Sequence, residues 1–282
     1  MCSTSLMNSS VMNNLIQAYQ ASKYKDIVKD YNGLPFPFDV NWENVSVAMS
    51  GGADSALLTY IICDIITKHH IDCTVHVLYN IRCWKSRPWQ EDVANQVFDS
   101  ITRMFPSVRF ERHTNFVPPE FEHGDKDPYI VDEYGKINSG DTIELRAFAE
   151  YIGHKHNIDA YFNAVTKNPP VPLKGMLEKR NIELNEDTFY LMIRDFDSQI
   201  VCHPFRFVSK DWIISQYFEN NITDLLNITR SCEGEFPSIT HKTYRPGQYV
   251  PLCHNCFWCK ERDWAFNENI QRQHTSRFNG KG

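Results

Sequence analysis

Residues 45–58 read VSVAMSGGADSALL. Val45–Ser50 is a short apolar run rich in β-branched residues, the pattern of a buried strand. Gly51-Gly52 interrupts it, and from Ala53 to His69 apolar residues recur at helical spacing. A strand, a tight turn and a helix in succession open an α/β fold.

The turn itself, Ser50-Gly51-Gly52-Ala53-Asp54-Ser55, carries chemistry. Two glycines let a backbone turn sharply and approach a ligand closely. The first amides of the following helix then face that ligand, and the helix dipole favours an anion there. Ser50 and Ser55 add hydroxyl donors. Asp54 would repel bare phosphate, so its carboxylate is expected to hold Mg²⁺ or to orient the loop. The plain alternative is a Gly-Gly turn that only joins strand to helix. The stretch matches neither G-x-x-x-x-G-K-[ST] nor G-x-G-x-x-G.

Outward from this unit the alternation continues. Cys73–Asn80 reads as a second strand, Trp89–Phe105 as a second helix with Val93, Val97, Ile101 and Met104 on one face, and Val108–His113 as a third strand. Phe116–Ser139, with Pro118, Pro119, Gly124, Pro128 and Gly135 among charges, is expected to be an irregular insertion. A third helix over Asp141–Asn157 and a strand over Asp159–Thr166 follow, then a Pro-rich loop at Asn168–Pro172. Cys202–Phe207 is expected to be the fifth strand, ahead of a helix over Asp211–Asn220 capped by Ser209. The expected fold is doubly wound α/β, with a mainly parallel five-stranded sheet and helices on both faces. Residues 1–40 read as an extension, with a helix over Met12–Ser22 and an extended approach at Pro35-Phe36-Pro37. The main domain is expected over 41–228, a Cys-rich segment over 229–266 and a polar tail over 267–282.

Of nine cysteines, three form Cys253-x-x-Cys256-x-x-Cys259 and a fourth, Cys232, lies upstream. Four thiolates suit a closed, structural tetrahedral zinc. The spacing also suits a [4Fe–4S] cluster, and His241 and His254 are substitute ligands. A chain of 282 residues needs no metal merely to hold a core, which makes this run informative. Cys63 and Cys73 lie in apolar stretches and read as core residues, whereas Cys2, Cys83 and Cys202 lack partner spacing.

Composition narrows the classes. Hydrophobic residues make up 42% and charged residues 23%, an ordinary globular balance. The net charge of −6 argues against a dedicated nucleic-acid binder. A patch of Arg82, Lys85 and Arg87 with Trp84 and Trp89 between them reads either as a stacking surface for a base or as an amphipathic loop with buried tryptophans. The polar start lacks the layout of a secretory signal, and the longest apolar run, Ala56–Ile66, is too short to span a bilayer. A cytoplasmic protein with reduced or metal-bound thiols is expected.

The six-residue loop resembles the S-G-G-x-D-S loop of the N-type ATP pyrophosphatases, the PP-loop enzymes. That resemblance implies an adenine nucleotide alpha hydrolase-like, Rossmann-like sheet and cleavage of ATP between its α and β phosphates. Met49, Ser50, Gly51, Gly52, Ala53, Asp54 and Ser55 would then bind ATP and Mg²⁺. It also implies a role for Lys210, in Ser209-Lys210 at a helix start, because family members often carry there a lysine that reaches the phosphates. Asp54, Ser55 and Lys210 are the catalytic candidates.

Loop and cysteines together resemble the 7-cyano-7-deazaguanine synthase family. Ile158–Val165, the order of elements through 202–232 and Cys259-Lys260-Glu261-Arg262 extend the likeness. It implies that a carboxylate is adenylated with pyrophosphate release, that ammonia displaces AMP, and that a second ATP-dependent step forms the nitrile. The zinc on Cys232, Cys253, Cys256 and Cys259 would be structural, and a homo-oligomer is compatible. The sequence departs from that family at Ser139-Gly140-Asp141-Thr142, where members read P-G-R-N; Arg146 is a substitute for the missing arginine. It departs again at Thr166–Val171, where members carry an acidic segment and S-G-Y-P-D-C. Another acceptor, as in tRNA thiolation, amide synthesis or modification of a protein or base, is therefore an alternative. A zinc-knuckle binding module with an inactive nucleotide site is another.

Overall fold

The computed structural model describes residues 26–82, 87–117, 130–131, 137–138, 140–176, 180, 193–196, 199–234, 236, 238–240 and 242–279. The expected helix over Met12–Ser22, together with Cys2, Cys83, Trp84, Lys85 and His241, lies outside these residues.

Strand β3 (Asn44–Ala48) runs into helix α1 (Ala53–Lys68), as the opening stretch requires. Next come β4 (Thr74–Ile81), α2 (Gln90–Met104), β5 (Arg109–Phe116), α3 (Gly140–His156), β8 (Ala160–Phe162), β9 (Ile193–Phe196) and β10 (Gln199–Cys202). Strands β3, β4, β5, β8 and β10 pair in parallel, giving the expected five-stranded parallel sheet; β9 adds an antiparallel edge beside β10. The order is β5-β4-β3-β8-β10-β9. The chain thus winds outward from β3 to β5, then returns to the other side of β3 at β8. Such a reversal opens a crevice at the carboxyl ends of the central strands, where α/β sheets bind ligands. The glycine loop leaves β3 at that point.

Alternation along the strands feeds two layers. Val45, Val47, Val75, Val77 and Tyr79 face a large core with α1 and α2. Leu78 and Tyr161 face the opposite side, beneath Ala149 and Ile152 of α3. Val93, Val97 and Ile101 of α2 are buried as its periodicity predicts, but Met104, in the last turn, is 37% exposed.

Three other expectations shift. The strand expected at Cys202–Phe207 ends where it was to begin, at Cys202. Pro204 lacks a ladder N–H, and 203–208 instead form turns, with Arg206 N donating to His203 O at 3.0 Å and Val208 N to Phe205 O at 3.1 Å. Strand β8 is shorter than Asp159–Thr166, and the residues after it form loop. Short strands β6 (Ile130–Val131) and β7 (Ile137–Asn138) pair within the expected insertion.

Ahead of the main sheet, β1 (Val28–Tyr31) and β2 (Leu34–Pro37) form an antiparallel hairpin. Its turn places Asn32 and Gly33 at positive φ. Leu34, Phe36 and Phe38 are wholly buried in the large core, with Phe36 stacked on Phe162 at 5.8 Å. Each such side chain contributes about 1.5–3 kcal/mol by burial. After β10 come α4 (Lys210–Glu219), α5 (Thr223–Ile228) and α6 (Phe257–Asn279). Residues 267–279, read as a polar tail, continue α6. There Asn269 donates to Asp211 O at 2.9 Å and Arg272 pairs with Asp211 at 2.6 Å.

Candidate active site and metal centre

The glycine loop is shaped from within. Gly51 has φ +77, a backbone conformation that favours glycine. A Cβ there would meet Val93 Cγ1 at 3.0 Å and the Ala94 backbone nitrogen at 3.2 Å, so α2 packs directly on the turn. The Ser55 hydroxyl accepts from Ser50 N at 3.2 Å and donates to Gly52 O at 3.1 Å, while Ser50 Oγ accepts from Gly52 N at 3.3 Å. No side chain caps the start of α1 at Gly52. Its first amides are therefore left to an anion, which the dipole favours. Met49 is buried with its N–H donated to Leu78 O at 2.9 Å, so it anchors the loop to β4.

Lys210 reaches this loop from α4. Its side chain is almost fully buried, and Nζ donates to Asp54 Oδ2 at 2.5 Å across 156 positions of sequence. The other Asp54 oxygen, Oδ1, is buried without a hydrogen-bond partner among the described residues. A buried carboxylate oxygen of this kind, beside the start of a helix that no side chain caps, suits a divalent cation or a phosphate-bound water. Ser209 occupies the N-cap position with extended backbone, but its hydroxyl donates to the Asp211 carboxylate and does not cap the helix. Tyr217, also on α4, donates to Ala53 O at 2.6 Å and holds α4 against the loop.

A second buried ion pair lies close by. Arg180 meets Glu261 at 2.6 Å and also donates to Thr166 O, Thr166 Oγ1 and Lys167 O. Burial raises the Glu261 carboxyl above its usual range, while the positive charges of Lys210 and Arg180 oppose that rise. Among the described residues Glu261 Oε2 and Arg180 Nη1 have no hydrogen-bond partner. Loops after β3, β8 and β10 thus contribute to one charged region at the reversal of the sheet. Neither Arg180 nor the role of Glu261 was evident from sequence, because no short spacing links them to the loop.

The four cysteines converge as expected. Cys232, Cys253, Cys256 and Cys259 place their sulfurs within 4.8 Å of one another, with Cys253 and Cys259 at 3.8 Å. Zn–S bonds of about 2.3 Å give a tetrahedral edge of about 3.8 Å, so the donor set fits one tetrahedral ion. Backbone amides of Gly234, Asn255 and Cys256 point at the sulfurs at 3.2–3.4 Å. These donors favour thiolate, the form that binds metal. The hydrogen bond from Cys259, aided by backbone amides, holds the Cys232 thiol down to about 5, while the same bond raises the Cys259 thiol and burial raises that of Cys256. Gly234 has no room for a side chain: a Cβ would lie 2.5 Å from Cys253 Sγ.

Knuckle and loop are joined. Arg230 N donates to Gly51 O at 2.9 Å, and a Cβ on Gly52 would meet Ser231 Oγ at 2.8 Å. The next residue is Cys232. Beyond Cys259, Glu261 enters the charged region, and Arg262 donates to Thr229 O, Thr229 Oγ1 and Leu226 O, closing the end of α5. A metal on the cysteines would therefore fix the segment that clasps the glycine loop.

Other candidates fall elsewhere. His254 is exposed and bonds Asp263 at 2.8 Å. Arg146 pairs with Glu150 along α3 at 2.8 Å, a helix-surface ion pair. Trp89 is buried against Phe236, and Arg87 pairs with Glu233 at 3.1 Å, which leaves this tryptophan in the core and not on a stacking surface. Burial pushes the Cys73 thiol up to about 12 and raises Cys63 and Cys202 as well, so all three are packing residues.

No protein-family model matches the chain, and none of the curated proteins does. Among solved structures it is similar to the U34-tRNA thiolase NcsA from Methanococcus maripaludis with its [4Fe-4S] cluster, at 12% identity over 94% of this chain and 74% of that one, with a TM-score of 0.39. It is also similar to the NH3-dependent NAD synthetase from Campylobacter jejuni, at 11% identity over 78% of this chain and 77% of that one, TM-score 0.34. The NAD+ synthetase from Burkholderia pseudomallei matches at 11% identity over 95% and 88% of the two chains, TM-score 0.32. Among the described residues no helix is long and apolar enough to cross a membrane.

Proposed function

We propose that the chain is an ATP pyrophosphatase of the PP-loop kind, which activates a substrate carboxylate by adenylation and passes it to ammonia. The observation that carries this reading is the buried Lys210 amine on Asp54, at a glycine loop whose helix start no side chain caps. ATP would lay its β and γ phosphates on the amides of Ala53–Ser55, with Ser50 and Ser55 as hydroxyl donors and Lys210 as the charge partner. Asp54 Oδ1 would hold Mg²⁺, which would supply charge neutralisation on the departing pyrophosphate.

In the first step a carboxylate oxygen attacks the α phosphorus and the bond to the bridging oxygen of pyrophosphate breaks. Carboxylate oxygen is a poor leaving group, and as AMP it becomes a good one. Ammonia then attacks the acyl carbon and AMP departs, leaving the amide; a second ATP adenylates the amide oxygen, and cleavage of that C–O bond, with loss of AMP and two protons from nitrogen, leaves the nitrile. Loop amides and Lys210 stabilise the charge that develops on pyrophosphate, the preorganised electrostatics that dominate such transfers. The loop's SGGADS pattern and the four cysteines support a 7-cyano-7-deazaguanine synthase-like activity, with 7-carboxy-7-deazaguanine as the acceptor. Thr166–Val171 departs from that family's pattern, and here Thr166 and Lys167 are held by Arg180.

For the cysteines the reading is a structural zinc. One ion draws four sulfurs to a tetrahedral edge, as the 3.8 Å pair fits; a cluster with an iron for each cysteine spreads them apart. A cytoplasmic setting suits reduced, metal-bound thiols.

The test is the mass of the product formed by the full chain from ATP, Mg²⁺, ammonium and 7-carboxy-7-deazaguanine. A nitrile with AMP and pyrophosphate supports the synthase reading. Pyrophosphate with another carboxylate alone would keep the class and replace the acceptor. No pyrophosphate with any acceptor, carboxylate or otherwise, would point to a binding module instead.

A further inference from the structure

On the face of the sheet beneath α3, three histidines and a glutamate meet. His76 lies on β4, Glu111 and His113 on β5, and His156 is the last residue of α3. The parallel register sets His76 beside Glu111, and His113 follows two residues on along the same face. Their ligand atoms all lie within 4.8 Å of one another. This group is away from the glycine loop: His76 Nε2 contacts Asn44, the first residue of β3, whereas the loop follows the strand's other end.

The distances discriminate between two explanations. His76 Nδ1 and His113 Nε2 are 3.0 Å apart, which one N–H···N hydrogen bond accounts for. Glu111 Oε2, however, stands 3.6 Å from His76 Nδ1, 3.8 Å from His113 Nε2 and 3.4 Å from His156 Nδ1. Those three contacts are too long for hydrogen bonds, yet they converge on one oxygen. Bonds of about 2.0–2.1 Å to zinc give a tetrahedral edge of about 3.3–3.4 Å. These four separations, 3.0–3.8 Å, bracket that edge, and the other two lie within 4.8 Å. Asn44 Oδ1 sits 3.3 Å from His76 Nε2, where it accepts that proton and leaves Nδ1 as the electron-pair donor, the outer support that metal-bound histidines usually have.

We propose that His76, Glu111, His113 and His156 form a second metal site, for zinc or a similar divalent ion bound through nitrogen and oxygen. Four protein ligands close a tetrahedron, so the site is structural and not catalytic. It ties the end of α3 to β4 and β5, where otherwise a small apolar cluster holds that helix to the sheet. The inference stands apart from the nucleotide chemistry and from the cysteines.

The test uses the full-length protein equilibrated with Zn²⁺, freed of excess metal by gel filtration, then examined by metal analysis and zinc X-ray absorption. The expected result is one equivalent of zinc per chain with nitrogen and oxygen neighbours at about 2.0–2.1 Å, in addition to whatever the thiols hold. Glu111→Gln, at a half-exposed position, and His156→Gln should each lose that equivalent and leave the sulfur-bound metal unchanged. Zinc found on sulfur alone in the wild type would overturn the site. So would an unchanged nitrogen and oxygen shell in Glu111→Gln. Should His156→Gln fail to fold, the wild-type spectrum and Glu111→Gln still decide.

Discussion

Lys210 Nζ and Asp54 Oδ2 lie 2.5 Å apart, although 156 positions separate the two residues in the chain. The pair ties the helix after β10 to the loop after β3, across the reversal of the sheet. Lys210 is nearly inaccessible, whereas about a fifth of the Asp54 side chain is exposed. Removing one partner of a buried pair costs about 3–5 kcal/mol, because it strands the other charge. Lys210→Met should therefore lose about 3 kcal/mol in chemical denaturation, the lower end suiting the partial exposure of Asp54. Adding Asp54→Asn should recover part of the loss. Equal, additive losses would show that the two groups are not coupled.

Two of the turn glycines with positive φ, Gly51 and Gly33, differ in their surroundings. A Cβ on Gly51 meets Val93 and the Ala94 backbone, while one on Gly33 meets nothing within 4 Å. Gly33→Ala should cost only the backbone strain, about 1 kcal/mol. Gly51→Ala should cost more and should also weaken ATP binding, measured by calorimetry. Equal costs for the two substitutions would contradict the packing of α2 on the loop.

The metal centre should influence the nucleotide site through Arg230 and Ser231, which clasp Gly51 and Gly52 immediately before Cys232. Cys256→Ser should lower metal content, lower the melting temperature and reduce ATP affinity together. Metal content unchanged from wild type would contradict the four-thiolate site. Metal lost with ATP affinity intact would instead break the proposed link between knuckle and loop.

Arg180 and Glu261 form a more deeply buried pair, with Glu261 wholly inaccessible. Arg180→Ala should destabilise the fold by about 3–5 kcal/mol. The double variant Arg180→Met with Glu261→Met should regain much of that, since apolar groups of similar size need no partner. Denaturant midpoints of the three variants check this.

How much of this was readable in the sequence follows from the range of each signal. The β3–loop–α1 unit is contiguous, and its period shift and glycines mark it plainly. The cysteine knuckle is nearly contiguous too. Lys210 offered no local signal and entered only through resemblance. Arg180, Glu261 and the group at 76, 111, 113 and 156 were invisible, because strand register and helix docking assemble them from distant positions. The fifth strand lies a few residues earlier than the extended look of Phe205-Arg206-Phe207 suggests, because Pro204 cannot continue a ladder. Leu34, Phe36 and Phe38 carried apolar character that a Pro-rich context concealed, although the hairpin buries all three in the main core.

The central claim is that the loop and Lys210 split ATP between its α and β phosphates. The most direct measurement is the nucleotide product formed by wild type and by Asp54→Ala, with ATP, Mg²⁺, ammonium and 7-carboxy-7-deazaguanine. Wild type should release AMP and pyrophosphate in equal amounts, and folded Asp54→Ala should release neither at a comparable rate. Release of ADP and phosphate by the wild type, or full activity in Asp54→Ala, would contradict the account.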